Sequence, residues 1–349
     1  MFAATYYGPN DLRVEERPAP TAGPGEVVVK VAACGVCGTD ARIVSGAHRL
    51  YPPRTVRVPG HEIVGTVVDV GSDVAAVISS GLVAVAPNFG CGVCKECISG
   101  NNNRCARFQA LGISLDGGFA GYVRVPAAAV RQGNVIAVAE GTDPAIATLF
   151  EPLACVVRGQ DPLHIGATDT VLIVGAGPIG ILHVMLARLK GAARILIADR
   201  WAPKLAVAAS LGADETIDVT KREIDTAIKD ATGGRGADVV IVAAPSPDDV
   251  ARSVDRAAPG GRISFFAGLP KERSVVPVDA NAVHYRELTV TGTTACSTHD
   301  CHRAAEIVSS AKLDLALLVT ARIALGALPA EFAAGARARI KTVVVSDTI

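Results

Sequence analysis

VLIVGAGPIGILHVMLARL, residues 171–189, decides how this chain folds. The run is almost continuously apolar and close to the roughly 20 residues that a bilayer crossing needs. Three glycines and Pro178 interrupt it, however, so a buried strand, a tight turn and the start of a helix describe it better than a membrane span. In GAGPIG, Gly175 permits the tight turn, Gly177 lets backbone approach a pyrophosphate, and Gly180 lets helix and strand pack closely. Gly175, Gly177, Pro178, Ile179 and Gly180 are therefore the candidate pyrophosphate loop, with the helix N-terminus facing the anion. Asp199 follows Gly180 by 19 residues at the end of the next apolar run. A carboxylate there accepts from both ribose hydroxyls and repels a 2′-phosphate, which favours NAD over NADP. Arg200 complicates this preference, because a guanidinium tolerates the extra phosphate, and Lys204 is within range of the same ribose. The competing reading is a plain strand-to-helix turn with an acidic helix cap.

Outward from this loop, RILIAD, Ala202 to Leu211, DVVIVAA, Asp248 to Ala257 and GRISFFAG continue the alternation of apolar runs and helical stretches. That pattern predicts βα units around a parallel, doubly wound sheet, hence an α/β fold. The first ~150 residues differ. Glu26 to Val31, Ile63 to Val70 and Phe119 to Val125 are short alternating stretches separated by Gly, Pro, Asn and Asp, which predicts a β-rich, barrel-like domain. At 349 residues the chain exceeds what one hydrophobic core comfortably serves, so two domains are expected. The tail from about Thr293 adds a helix-like piece, Cys301 to Ser310, and a strand-like KTVVV.

Nine cysteines are too many for packing alone in a reducing compartment. Cys91, Cys94, Cys97 and Cys105 read C-x2-C-x2-C-x7-C in a segment rich in Gly, Asn and Lys. Four thiolates so spaced complete a closed tetrahedral shell, as in structural zinc sites; an iron–sulfur cluster is the alternative use of such a set. Cys37 in CGVCGTD, His61 and Glu62 in PGHE, and Glu151 in FEPLAC offer a second donor set. One thiolate, one imidazole and two carboxylates hold zinc with a position left open for water or substrate. Cys34 and Cys155 read as packing residues, although Cys34-x2-Cys37 has the spacing of a redox pair.

Lys plus Arg (34) balance Asp plus Glu (34) without any block of like charge, which argues against nucleic-acid or anionic-membrane partners and for a small molecule. The opening residues carry acids early and lack a basic region followed by an apolar stretch, so no secretory signal is expected and the cytoplasm is the default.

CGVCGTD, PGHE, the four-cysteine lobe, GAGPIG and Asp199 occur in the order seen in the zinc-containing medium-chain alcohol dehydrogenases, and this chain resembles that family over essentially its whole length. Where one branch holds its catalytic zinc with two Cys and one His, Glu151 stands in place of the second cysteine. With EPLAC and VHYRELTVTG (Val283 to Gly292), this is similar to the polyol branch, which includes sorbitol, galactitol-phosphate and threonine dehydrogenases. The resemblance implies a GroES-like catalytic domain, residues 1–151 completed by 293–349, and a Rossmann NAD-binding domain, residues 152–292. It further implies two zinc ions per subunit, a homodimer or homotetramer, and hydride transfer between NAD and a small secondary alcohol or ketone, a polyol first and an amino alcohol of the threonine type second. A zinc-stabilised nucleotide binder that no longer turns over is disfavoured, because Cys37, Thr39 and His61 are all present. Thr39 is the expected acceptor of the substrate's hydroxyl proton, and His48 a candidate exit. Departures are ISSGLVAV (Ile78 to Val85) without the usual Gly-Asp-Arg turn, Gly121 in place of an acid, and Arg42 where some relatives carry a proton-shuttling histidine. His299, Asp300 and His302 are candidates for pocket or subunit contacts.

Overall fold

Thr170–Val174 forms the first strand of a six-stranded, all-parallel sheet in the computed structural model, which describes residues 1–74, 81–335 and 339–346. In spatial order the strands are Glu215–Asp218, Arg194–Asp199, Thr170–Val174, Ala237–Val242, Ala257–Phe265 and Thr289–Gly292. That is third, second, first, fourth, fifth, sixth in chain order, the doubly wound dinucleotide-binding topology. The strands read as unbroken apolar runs because helices cover both faces: Val171, Leu172, Ile173, Ile195, Leu196 and Ile197 are all fully buried. The stretch weighed as a membrane span resolves into strand Thr170–Val174 and helix Pro178–Leu189. No helix among the described residues is long and apolar enough to cross a membrane.

Contacts divide the chain into two compact units, Met1–Ala154 with Ala295–Ile349, and Cys155–Thr294. The first unit is built on a mixed sheet in which Val27–Gly35 is central. This strand pairs antiparallel with Glu62–Val70, with Tyr122–Val125 and with Lys341–Val345, so KTVVV closes against one of the earliest strands. Leu82–Val85 and Val135–Ala137 extend the sheet on one side and Val319–Ile323 on the other. Its core gathers Tyr6, Val29, Ile43, Ile63, Val85 and Phe119, all buried.

Among the element bounds that differ from the sequence reading, two have a plain local cause. Phe119 stays outside the strand because its backbone is used elsewhere, accepting from Ala4 N at 2.8 Å and donating to Pro59 O at 3.1 Å. The helix expected from Cys301 starts at Thr298, since Ser297 caps it and Asp300 completes a capping box. Asp300 is buried at the helix start, where its carboxylate accepts from Ser297 N at 2.9 Å; His302 Nε2 bonds Gly133 O at 2.8 Å, and His299 is exposed. Of the stretch Ile78 to Val85, residues 78–80 lie outside the described residues.

His183, on helix Pro178–Leu189, is fully buried against Phe266, and burial pulls its pKa down to about 3 from 6.5. The imidazole is therefore neutral in the folded chain. As pH falls below 6.5 the unfolded chain takes up a proton that the folded chain refuses, so stability is lost progressively toward pH 3. His183→Leu is expected to flatten the stability–pH curve of the protein between pH 6 and 4 by about 1.4 kcal/mol per pH unit. Urea unfolding across that range measures it; parallel curves for the two proteins would refute the assignment.

Candidate metal and dinucleotide sites

The loop after Thr170–Val174 is shaped by its glycines. Gly175 takes φ +107°, and a Cβ on Gly180 would collide with the Gly175 carbonyl, so the helix packs as close as backbone allows. A Cβ on Gly177 would meet nothing beyond its own chain neighbours within 4 Å, which leaves open space before the helix N-terminus, the kind of place that suits an anion. Gly177 caps helix Pro178–Leu189 and Pro178 is in its first turn, where a missing N–H costs nothing. Asp199 Oδ2 accepts from Ala176 N at 2.7 Å and Oδ1 from Trp201 N at 2.9 Å. The carboxylate thus braces the loop, and each oxygen keeps a second lone-pair direction for a ribose hydroxyl. Arg200 is exposed and Lys204 half-buried.

Cys91, Cys94, Cys97 and Cys105 bring their four sulfurs within 4.8 Å of one another, with no disulfide. The Sγ–Sγ distances are 3.5 Å for Cys94–Cys97, 3.7 Å for Cys94–Cys105 and 4.0 Å for Cys91–Cys97. Four sulfurs ~2.3 Å from one ion in a tetrahedron stand about 3.8 Å apart, so this cage fits zinc. Backbone amides of Cys91 and Arg107 donate to Cys105 Sγ at 3.4 and 3.3 Å. The backbone at Val93 and the Arg107 side chain pull the Cys91 thiol down to about 5, which readies a thiolate ligand.

The second donor set is assembled by the turn after Val27–Gly35 and the start of Glu62–Val70. Cys37 caps helix Gly38–Val44: its Sγ accepts from Thr39 N at 3.5 Å, and Asp40 Oδ2 accepts from Cys37 N at 2.9 Å. Gly60 takes φ +95°, and a Cβ there would strike Phe119 and Cys34 Sγ, so the chain delivers His61 through a gap that only glycine passes. Cys37, His61 and Glu62 place one donor atom each within 4.8 Å of one another. Asp40, fully buried, lies with Oδ1 3.4 Å from His61 Nδ1, too poorly aligned to count as a full hydrogen bond. With Nδ1 facing that carboxylate, Nε2 is the nitrogen that could ligate a metal. Burial opposes a charge on His61, yet the Asp40 charge and the nearby Cys37 sulfur raise its pKa well above the ordinary imidazole value. The pocket is built to hold positive charge, and a thiolate, an imidazole and carboxylates together suit zinc.

Glu62 is fully buried and is engaged by Lys341, whose Nζ donates to Oε1 at 2.6 Å and to Val36 O at 3.0 Å. Glu151, in the first turn of helix Phe150–Gln160, is buried too; burial raises its pKa while the charges of His61 and Lys341 work against this. Its Oε1 lies 3.7 Å from Cys296 Sγ. Thr39 Oγ1 accepts from Arg42 at 3.4 Å. His48 Nδ1 accepts from Leu50 N at 3.3 Å, and burial with Arg42 and Arg49 lowers its pKa. Cys34 is buried and packs beside Gly60 and Gly118. Sequence reasoning passed over Asp40, Lys341 and Cys296. Asp40 had a signal, since it stands three residues after Cys37 as a capping box requires.

Comparison with known proteins identifies the family. The alcohol dehydrogenase GroES-like domain matches residues 23–134 and the zinc-binding dehydrogenase domain residues 178–310. An L-threonine 3-dehydrogenase of Bacillus velezensis is 33% identical over 316 residues, 89% of this chain and 88% of that one. A zinc-binding dehydrogenase of Sinorhizobium meliloti 1021, solved with NADP, superposes with a TM-score of 0.90 at 32% identity over 99% of both chains. A galactitol-1-phosphate dehydrogenase of Escherichia coli gives 0.87 at 25% over 99% of this chain and 100% of its own. The chain belongs to the zinc-dependent medium-chain alcohol dehydrogenase family. It is an oxidoreductase that works with zinc and a nicotinamide dinucleotide.

Proposed function

We infer that the protein oxidises a small secondary alcohol with NAD, a polyol or sugar alcohol being the best fit, and that the set Cys37, His61, Glu151 and Glu62 is the reacting centre. The observation that carries this is the cluster of half-buried Cys37 with buried His61 and Glu62, and Thr39 beside it. Cys37, His61 and Glu151 would hold the catalytic zinc, Cys91, Cys94, Cys97 and Cys105 the structural one, and the loop 175–180 with Asp199, Arg200 and Lys204 the dinucleotide. Zinc supplies Lewis acidity there, and the dinucleotide supplies a hydride acceptor. Thr39 takes the proton of the substrate hydroxyl at Oγ1. Arg42, which donates to that oxygen, has no acceptor atom, so the proton leaves Thr39 by a route other than residue 42. Asp40, 3.4 Å from His61 Nδ1, would favour the imidazole offering Nε2 to the zinc, and Lys341 balances the charge of Glu62, which would be a further ligand to it. Asp199 sets NAD above NADP by placing a negative charge where a 2′-phosphate would sit.

A second reading, an amino-alcohol dehydrogenase of the threonine type, is favoured by the Bacillus velezensis relative and by Arg42, a cation beside Thr39 suited to a substrate carboxylate. Reduced-nicotinamide formation by zinc-loaded protein separates the two, with polyols, threonine, butanediols and simple alcohols tested against NAD and NADP. Turnover of polyols with NAD is the expected result, turnover of threonine alone selects the second reading, and silence with both zinc ions bound defeats both. The same protein is expected to run as two or four chains. Strand Thr289–Gly292 ends its sheet with open backbone groups, and Val275 and Tyr285 of the same unit are 94% and 78% exposed.

A further inference from the structure

Cys296 immediately precedes Ser297, the cap of helix Thr298–Ser309, and Cys301 lies one turn inside it. These are the two positions where apolar residues commonly pack as a staple. Here both are fully buried thiols with sulfurs 3.5 Å apart. Staple packing explains their burial, but not the direction in which Cys296 is held. Its sulfur reaches 3.7 Å from Glu151 Oε1, and three features fix it there. Ala295 just before it takes φ +51°, a left-handed conformation that a non-glycine residue adopts at a cost. Asn88 Nδ2 donates to the Cys296 carbonyl at 2.9 Å and touches its sulfur at 3.4 Å. Asn88 is in turn locked by buried amides: its carbonyl accepts from Asn134 at 2.7 Å and from Asn102 at 3.2 Å, and Asn102 also donates to Thr298 Oγ1 at 2.7 Å. Asn102 belongs to the four-cysteine lobe, between Cys97 and Cys105, so a chain of buried hydrogen bonds runs from that lobe to the thiol beside Glu151.

We propose that Cys296 is a positioning residue for Glu151: its S–H donates to Oε1 and, held by Asn88, limits the rotamers open to the carboxylate that would serve the metal. The proposal rests on the assignment of Glu151 to the catalytic zinc. A buried carboxylate needs donors to hold one orientation, and a neutral thiol supplies one without adding a charge that would compete with the ion. The S–H group is a weak donor, so its removal belongs at the low end of the effects of orienting partners, about 10-fold in metal retention.

Zinc released from the holoenzyme to a chromogenic chelator tests this, following the phase that Cys37→Ala abolishes, with unfolding temperature measured in parallel. Cys296→Ala is expected to release this zinc about 10-fold faster, with Cys296→Ser restoring most of the retention and both variants unfolding at similar temperatures. Release at the native rate from Cys296→Ala would overturn the proposal and leave only the staple. Equal loss in the Ala and Ser variants would overturn it as well, making sulfur itself the ligand. Glu151→Gln is the control on the underlying assignment. If it accelerates release while Cys296→Ala does not, only the inference fails; if it leaves release unchanged, Glu151 is not a ligand and both fall.

Discussion

Cys37→Ala and His61→Ala are each expected to lower kcat/KM by about four orders of magnitude and to reduce bound zinc from two ions per chain to one. Lewis-acid stabilisation of developing charge contributes several kcal/mol to the barrier, and each ~1.4 kcal/mol is a factor of ten. The cost to folding is much smaller. Cys37 is the cap of helix Gly38–Val44, and loss of a cap costs about 1 kcal/mol. Metal content by atomic emission, with kcat/KM and an unfolding curve on the same preparations, separates the two effects. A variant that keeps both ions, or retains a tenth of native activity, would remove Cys37 or His61 from the reacting centre.

The second large effect concerns stability. Lys341→Met leaves Glu62 fully buried without its cation, and breaking a buried pair from one side costs about 3–5 kcal/mol. The unfolding temperature should fall on the order of 10 °C. The double variant Glu62→Gln with Lys341→Met should recover most of that loss, because the expense lies in the uncompensated charge and not in the missing contact. If the single variant unfolds like the native protein, Glu62 has another route to neutrality. If the double variant fares as badly as the single, the lysine acts mainly through Val36 O.

Local chemistry made much of this molecule readable in advance. GAGPIG announces itself because a turn, a phosphate approach and a helix contact each demand glycine at a fixed spacing. The four-cysteine lobe was equally plain, since nearby thiols in a polar loop have no apolar reason to be there. Long-range pairing was invisible. Lys341 meets Glu62 across 279 residues, and nothing in KTVVV distinguishes a lysine buried beside a carboxylate from one on a strand edge. The asparagines were hidden for a related reason: Asn88, Asn102 and Asn134 look like ordinary loop residues until folding brings their amides together. Asp300 shows a role that spacing alone could have shown, since it stands three residues after Ser297 as a capping box requires.

The pairing of Lys341–Val345 with Val27–Gly35 also sets an order of events during synthesis. The ribosome makes Glu62 long before its lysine, and the whole parallel-sheet unit is translated in between. That later-made unit has all its strands available before the earlier-begun one does, so it is free to fold first while the opening segment waits with a sheet position unfilled. Until Lys341 emerges, the nascent chain has reason to keep Glu62 in water.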